Sequence, residues 1–172
     1  MKEQDLQNII ADYFRMQYPG AIFHSDFGAG IKLTPGQAVR QKRQNVGERG
    51  YPDIFIAEPT EISENGRIIG MGYYGLFVEL KRDSVRLKKK NGEWATTHIA
   101  EQAEMLERLN RRGYLAKFAV GFDEAKEIID AYMEDSIYNK RKLRKERNDR
   151  HQRTPASKER ADARGSNQKG SD

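Results

Sequence analysis

From Lys2 to Tyr18 the apolar residues Leu6, Ile9, Ile10, Tyr13 and Phe14 return at helical spacing, and Pro19-Gly20 stops the segment. AIFHS predicts a short strand, and the DFGAGIKL that follows is glycine-rich and irregular. Thr34-Pro35 predicts the cap and first residue of a short basic helix through Gln44. GERGYPD is a turn-rich approach to the strand DIFIA, and the Asn65-Gly66 pair within EISENGRII predicts a hairpin. A strand over 74–82 comes next, then a basic loop or hairpin, RLKKKNGEW. Thr97 is the predicted cap of a helix running to about Arg112, which Gly113 ends. YLAKFAVGF predicts a strand, and Asp123 the cap of a helix to about Met133 with Ala125, Ile128, Ile129 and Tyr132 inward. This order predicts one α/β domain over residues 1–136, a small mixed sheet flanked by helices. Residues 137–172 have almost nothing to bury and predict a basic, disordered tail, its first residues at most extending the last helix.

Several polar residues interrupt these apolar faces. In GLFVELKRD, side chains alternate, so Phe77, Glu79 and Lys81 share one face while Leu76, Val78 and Leu80 share the other. Taken alone, the Glu79/Lys81 pair fits the solvated face of an edge strand. Gln102 falls inside the stripe of Ile99, Ala103, Leu106 and Leu109, where a buried amide needs hydrogen-bond partners, structural or functional. Glu3 lies in the sector of Leu6, Ile10 and Phe14, although an acid at a helix N-terminus also suits the helix dipole. Asp53 follows Gly50-Tyr51-Pro52 at the mouth of a strand, a common place for a turn residue.

The 172 residues are 37% apolar and 33% charged, enough for one core with polar material to spare. The formal charge is +5, but residues 137–172 carry 12 Lys/Arg and 5 Asp/Glu, which leaves the preceding residues slightly acidic. There is no cysteine, which excludes disulfides and thiolate metal sites. No apolar run reaches the roughly 18 residues of a membrane helix. No signal-peptide pattern opens the sequence, so a cytoplasmic protein without membrane contact is expected.

If the sheet brings Asp53, Glu79 and Lys81 to one end, two carboxylates and an ammonium would meet there, with Gln102 and Glu3 on facing helices. Two carboxylates plus waters are what Mg²⁺ favours. A metal as Lewis acid, a generated nucleophile and a cation for developing charge are the needs of phosphodiester hydrolysis.

The stretches GYPDIFIAEP and YYGLFVELKR resemble the PD-(D/E)XK nuclease signature, with Pro52-Asp53 and Glu79-Leu80-Lys81 filling it. The continuation HIAEQAEMLERLNRRGYLAKFAVGFDEAKEIIDAYM resembles the virus-type replication-repair nuclease (VRR-NUC) branch, in which a Gln-bearing helix follows the E-x-K strand. The resemblance spans about Lys2 to Met133. It implies a restriction-endonuclease-like αβββαβ core and Mg²⁺, replaceable by Mn²⁺, at Asp53 and Glu79. It also implies a Lys81 that assists the attacking water, and matches Gln102 and Glu3 to the family's glutamine and first-helix acid.

The resemblance implies a metal-dependent deoxyribonuclease, a structure-directed endonuclease of phage or bacterial replication, repair or recombination. DNA is the expected partner, RNA is left open beside it, and a homodimer is permitted. Arg40, Lys42, Arg43, Lys88, Lys89 and Lys90 are candidate phosphate contacts. Trp94 is read as packing and His24 as structural. The main rival is a non-catalytic nucleic-acid-binding protein that uses the basic tail and whose binding survives EDTA. A third reading, a hydrolase of small phosphate esters, would be separated by comparing plasmid with nucleotide substrates.

Overall fold

The structure, a computed structural model, describes residues 2–25, 34–36, 39–40, 50–65 and 67–152. Its elements in chain order are α1 (Glu3–Gln17), β1 (Phe23–Ser25), β2 (Ile54–Ile56), β3 (Glu61–Glu64), β4 (Arg67–Met71), β5 (Leu76–Lys81), α2 (Thr97–Asn110), β6 (Leu115–Val120), α3 (Gly121–Glu134) and α4 (Ile137–Gln152). The main sheet has the order β1-β2-β5-β6. β1/β2 and β2/β5 pair antiparallel, whereas β5/β6 pair parallel through the α2 crossover. This is the expected mixed α/β sheet.

β5 is an inner strand, and all six of its residues are buried. On one side Leu76, Val78 and Leu80 meet Leu6, Ile10 and Phe14 of α1 and Ala125, Ile129, Tyr132 and Met133 of α3. On the other, Phe77 packs with Met105, Leu106 and Leu109 of α2 and Ala116 of β6. The reading of Glu79 and Lys81 as a solvated edge pair is therefore wrong. β6 covers the edge that the sequence left open, and α2 covers the face.

The stretch between β2 and β5 folds as the β3/β4 hairpin anticipated from Asn65, which turns at φ +49° between the paired Glu64 and Arg67. Its base is tied by Thr60, whose backbone exchanges hydrogen bonds with Gly72 and Tyr73. Two predicted caps differ. Thr96, not Thr97, accepts the N–H of Ile99 at the start of α2. α3 begins before Asp123, and the carboxylate of Glu124 accepts the Val120 N–H instead. Pro35, Gly36, Val39 and Arg40 are helical, as expected after Thr34; the rest of that predicted helix lies outside the described residues.

The predicted boundary at residue 136 does not coincide with the end of ordered packing. Ser136 is fully buried; its hydroxyl donates to the Met133 carbonyl at 2.6 Å and accepts the Asn139 N–H at 3.2 Å. That is an N-cap, and α4 follows it. Ile137 N–H donates to Pro59 O, the Tyr138 hydroxyl to Pro19 O, and the Lys140 ammonium to Glu61 O. Beyond this root the Lys, Arg, Leu and Glu residues are good helix formers, so the helix continues without burying a face. Apolar patterning could not show it, because no apolar pattern supports it. Residues 153–172 lie outside the described part.

Replacing Ser136 by Ala should remove the cap and cost about 1 kcal/mol. Urea denaturation is expected to show that loss together with a smaller helical signal. Unchanged values of both would mean that α4 does not depend on this cap.

Candidate metal centre

β2 begins at Ile54, opposite Val78 of β5. Asp53 sits just beyond that pairing, next to the buried Pro52, and its side chain continues the contact with β5. Asp53 Oδ2 accepts the backbone N–H of Leu80 at 2.8 Å, and Oδ1 accepts the side-chain amide of Gln7 at 3.0 Å. Glu79 and Lys81 project from the Phe77 face of β5. Glu79 Oε1 accepts the Lys81 ammonium at 2.6 Å and also the side-chain amide of Gln102 from α2. Glu3, on the first turn of α1, lies 3.8 Å from the same ammonium and is the more exposed member.

The structure thus brings together Glu3, Asp53, Glu79, Lys81 and Gln102. One carboxylate oxygen from each of Glu3, Asp53 and Glu79 lies within 4.8 Å of the others. Asp53, Glu79, Lys81 and Gln102 are all buried. Three acids therefore share one ammonium in a poorly solvated place. Burial raises the Asp53 carboxyl above its ordinary range, Leu80 N–H opposes that, and Glu3 adds to it. Burial, followed by the Asp53 charge, pushes Glu79 up from its ordinary 4.5 to about 8, against the pull of Lys81.

This donor set fits a hard divalent cation. Carboxylate oxygens are the ligands Mg²⁺ and Mn²⁺ accept, and a cation would offset the burial, and after it the repulsion between acids, that raise both carboxyls. Gln102 supplies an independent indication. Its amide N–H is spent on Glu79, while Oε1 is buried and finds no donor among the described residues. A buried acceptor without a donor, on a side chain whose amide already holds Glu79, fits a water held on a cation.

Two contributors were missed in the sequence. Gln7 shares the inner stripe of α1 with Leu6 and Ile10 and lies one turn from Glu3, a spacing that would have revealed it. Gly50 adopts φ +88°, and a Cβ there would stand 3.0 Å from the Gln102 Cα and 3.2 Å from its Cγ. The loop that delivers Asp53 is thereby pressed onto the helix that delivers Gln102.

The candidate phosphate contacts are less gathered. Lys88 lies over the Trp94 ring at 4.9 Å, Lys89 pairs with Glu93, and Lys90 and Arg40 are exposed. Lys42 and Arg43 lie outside the described residues. Trp94 packs on Phe118, and the exposed His24 on β1 is not among the clustered acids.

No family model matches the chain, and no curated protein does. Among solved structures it is similar to a VRR_NUC domain protein, with 24% identity over 78% of this chain and 90% of that one and a TM-score of 0.52. At the level of fold, this chain is similar to that protein. The antiparallel β1/β2/β5 set, the crossover through α2 and the parallel β6 make up its αβββαβ core, with the β3/β4 hairpin inserted before β5.

Two measurements probe this geometry. Glu79 holds its proton more tightly folded than unfolded, so its stabilising contribution is complete below about pH 4.5 and disappears as pH rises through about 8. In EDTA the melting temperature should fall across that window, Glu79→Gln should flatten the fall, and Mg²⁺ should restore stability at its upper end. A flat profile in the unaltered chain would contradict the buried acid. Second, Gly50→Ala should lower Mg²⁺ affinity measured by calorimetry while the chain stays folded. Unaltered affinity would show that Gly50 does not position the cluster.

Proposed function

We propose that this chain is a Mg²⁺-dependent nuclease that hydrolyses DNA phosphodiester bonds, with Mn²⁺ able to replace Mg²⁺. The observation that carries the reading is the buried meeting of Asp53, Glu79 and Lys81 at one end of adjoining strands, on a VRR_NUC fold. A structure-directed endonuclease acting in phage or bacterial replication, repair or recombination is the form this reading takes.

Asp53 and Glu79 would hold the metal, with Glu3 at its more exposed side. When bound, the cation supplies Lewis acidity and lowers the pKa of water. The remaining chemistry belongs to the chain. Leu80 N–H and Gln7 fix the Asp53 carboxylate by both oxygens, so the acid is oriented before substrate arrives. Gln102 orients Glu79 through its amide and offers Oε1 as an acceptor that can aim a water. Lys81, tied to Glu79 and near Glu3, places a positive charge where phosphate charge develops and can orient the attacking water. Burial strengthens each of these interactions by excluding solvent.

Asp53→Ala or Glu79→Ala should abolish Mg²⁺-dependent cleavage of plasmid and branched DNA and weaken Mg²⁺ binding, with the fold retained. Full activity in either variant would sink the assignment. Lys81→Met keeps most of the stem's packing and removes the ammonium. It should reduce turnover by about 10²–10³ with little change in DNA affinity. The exposed Arg82 serves as control, and Arg82→Met should alter the rate only modestly. Equal losses in both would reduce Lys81 to an ordinary phosphate contact.

A further inference from the structure

Among the described residues, the largest concentration of charge lies far from the acids. From Lys140 to Arg150 helix α4 carries seven basic residues and two acidic ones, and every residue from Arg141 to Arg150 is exposed. The root of the helix is fixed. Ser136 caps it, Tyr138 packs beside Tyr18 and donates to Pro19 O, and Lys140 reaches Glu61 of the hairpin.

That root stands at the end of the domain opposite the metal centre. α1 spans the two poles, with Glu3 at the acidic cluster and Pro19 against Tyr138. At 15 residues it is about 22 Å long. The sheet shows the same polarity. Asp53 touches Leu80 near the C-terminal end of β5, whereas Pro59, which binds Ile137, follows Ile56 at the Leu76 end.

We propose that α4 is an arm that grips the phosphates of a DNA duplex at a distance from the metal centre. Its composition selects this partner. Leu143 is the one apolar residue between Arg141 and Arg150, so the helix has no apolar face for a membrane interface or a hydrophobic protein groove. At 100° per residue Lys140, Arg141, Arg144, Lys145 and Arg147 spread over a broad sector, and Lys142 and Arg150 lie with Glu146 and Asp149 on the other side. The major groove of duplex DNA admits a helix and presents phosphates on both walls, which suits charge spread this widely. Resting on the nuclease reading above, the separation sets a length requirement. The length of α1 between the acids and the root of the arm, about 22 Å, corresponds to roughly six base pairs, so the arm is expected to help only where DNA extends at least that far from the cut.

The test is the salt dependence of binding by the full chain to a labelled duplex of about 30 base pairs, followed by anisotropy in EDTA. The combined variant Arg141→Gln, Lys142→Gln, Arg144→Gln, Lys145→Gln should reduce the slope of log K against log salt by about 3–4. Exchanging the two arginines for lysine should leave the slope unchanged. Circular dichroism and Mg²⁺ affinity should be the same in all three proteins. Equal slopes for the unaltered and glutamine chains would overturn the proposal. So would a charge-dependent loss of binding to anionic vesicles or an acidic protein with DNA binding intact. In Mg²⁺, shortening the duplex on one side to fewer than about six base pairs from the cut should abolish the difference between the two chains. A difference that persists at that length would overturn the remote grip. Absence of cleavage by either chain would count against the nuclease reading and leave the binding result standing.

Discussion

Glu79 and Lys81 stand on the same face of a strand that is buried on both sides, and the surrounding structure answers the problem this creates. Ionised groups withdrawn from water cost several kcal/mol each unless charge or hydrogen bonds replace the solvent. Lys81 neutralises one acid. Yet Asp53 and Glu3 bring two more to within 4.8 Å, and the cluster remains one cation short of balance. Burial first, and the neighbouring acids after it, raise the carboxyls of Asp53 and Glu79, and a cation would offset both. An arrangement so costly without a cation is hard to explain as scaffolding, because the same volume filled with apolar side chains would be at least as stable.

The cluster also accounts for features that look unrelated in the chain. Gln7 and Gln102 come from opposite helices and each spends an amide on a carboxylate, one on Asp53 and one on Glu79. Gly50 lets the loop before β2 press on α2, joining the position of Asp53 to that of Gln102. Asp130 accepts from Tyr13, Tyr18 and Lys126, clasping α1 to α3 and thereby holding the helix that carries Glu3 and Gln7. The site is assembled from four elements that are far apart in sequence, and each is held by contacts of its own.

This explains what the sequence showed and what it concealed. Elements with periodic apolar faces, α1, α2, β5 and α3, were legible because burial imposes the period. Asp53, Glu79 and Lys81 were legible as residue types in a recognisable spacing, though their burial was not. Whether β5 lies at an edge depends on β6, which pairs from more than thirty residues away. Gly50 stayed hidden for a related reason, since what it touches lies across the fold, whereas Gln7 was readable from its place on the inner stripe of α1, one turn from Glu3. α4 was hidden differently. Its formation rests on a cap and on propensity, and hydropathy reads neither.

The polarity of the domain follows from how the chain is threaded. α1 and α3 both run between the acidic cluster and the far pole, and α3 delivers the chain to Ser136 at that pole. A basic segment placed there cannot crowd Lys81 or compete with a cation for the acids. Positive charge that attracts a polyanion and negative charge that holds a metal would partly cancel if they were adjacent, because each lowers the local potential that the other needs. The length of α1, about 22 Å and more than two Debye lengths at physiological ionic strength, separates the root of α4 from the acids and limits that cancellation. The hairpin, Tyr138 and the Ser136 cap maintain that separation, and this gives a physical reason for the ordered root of an otherwise solvent-exposed helix.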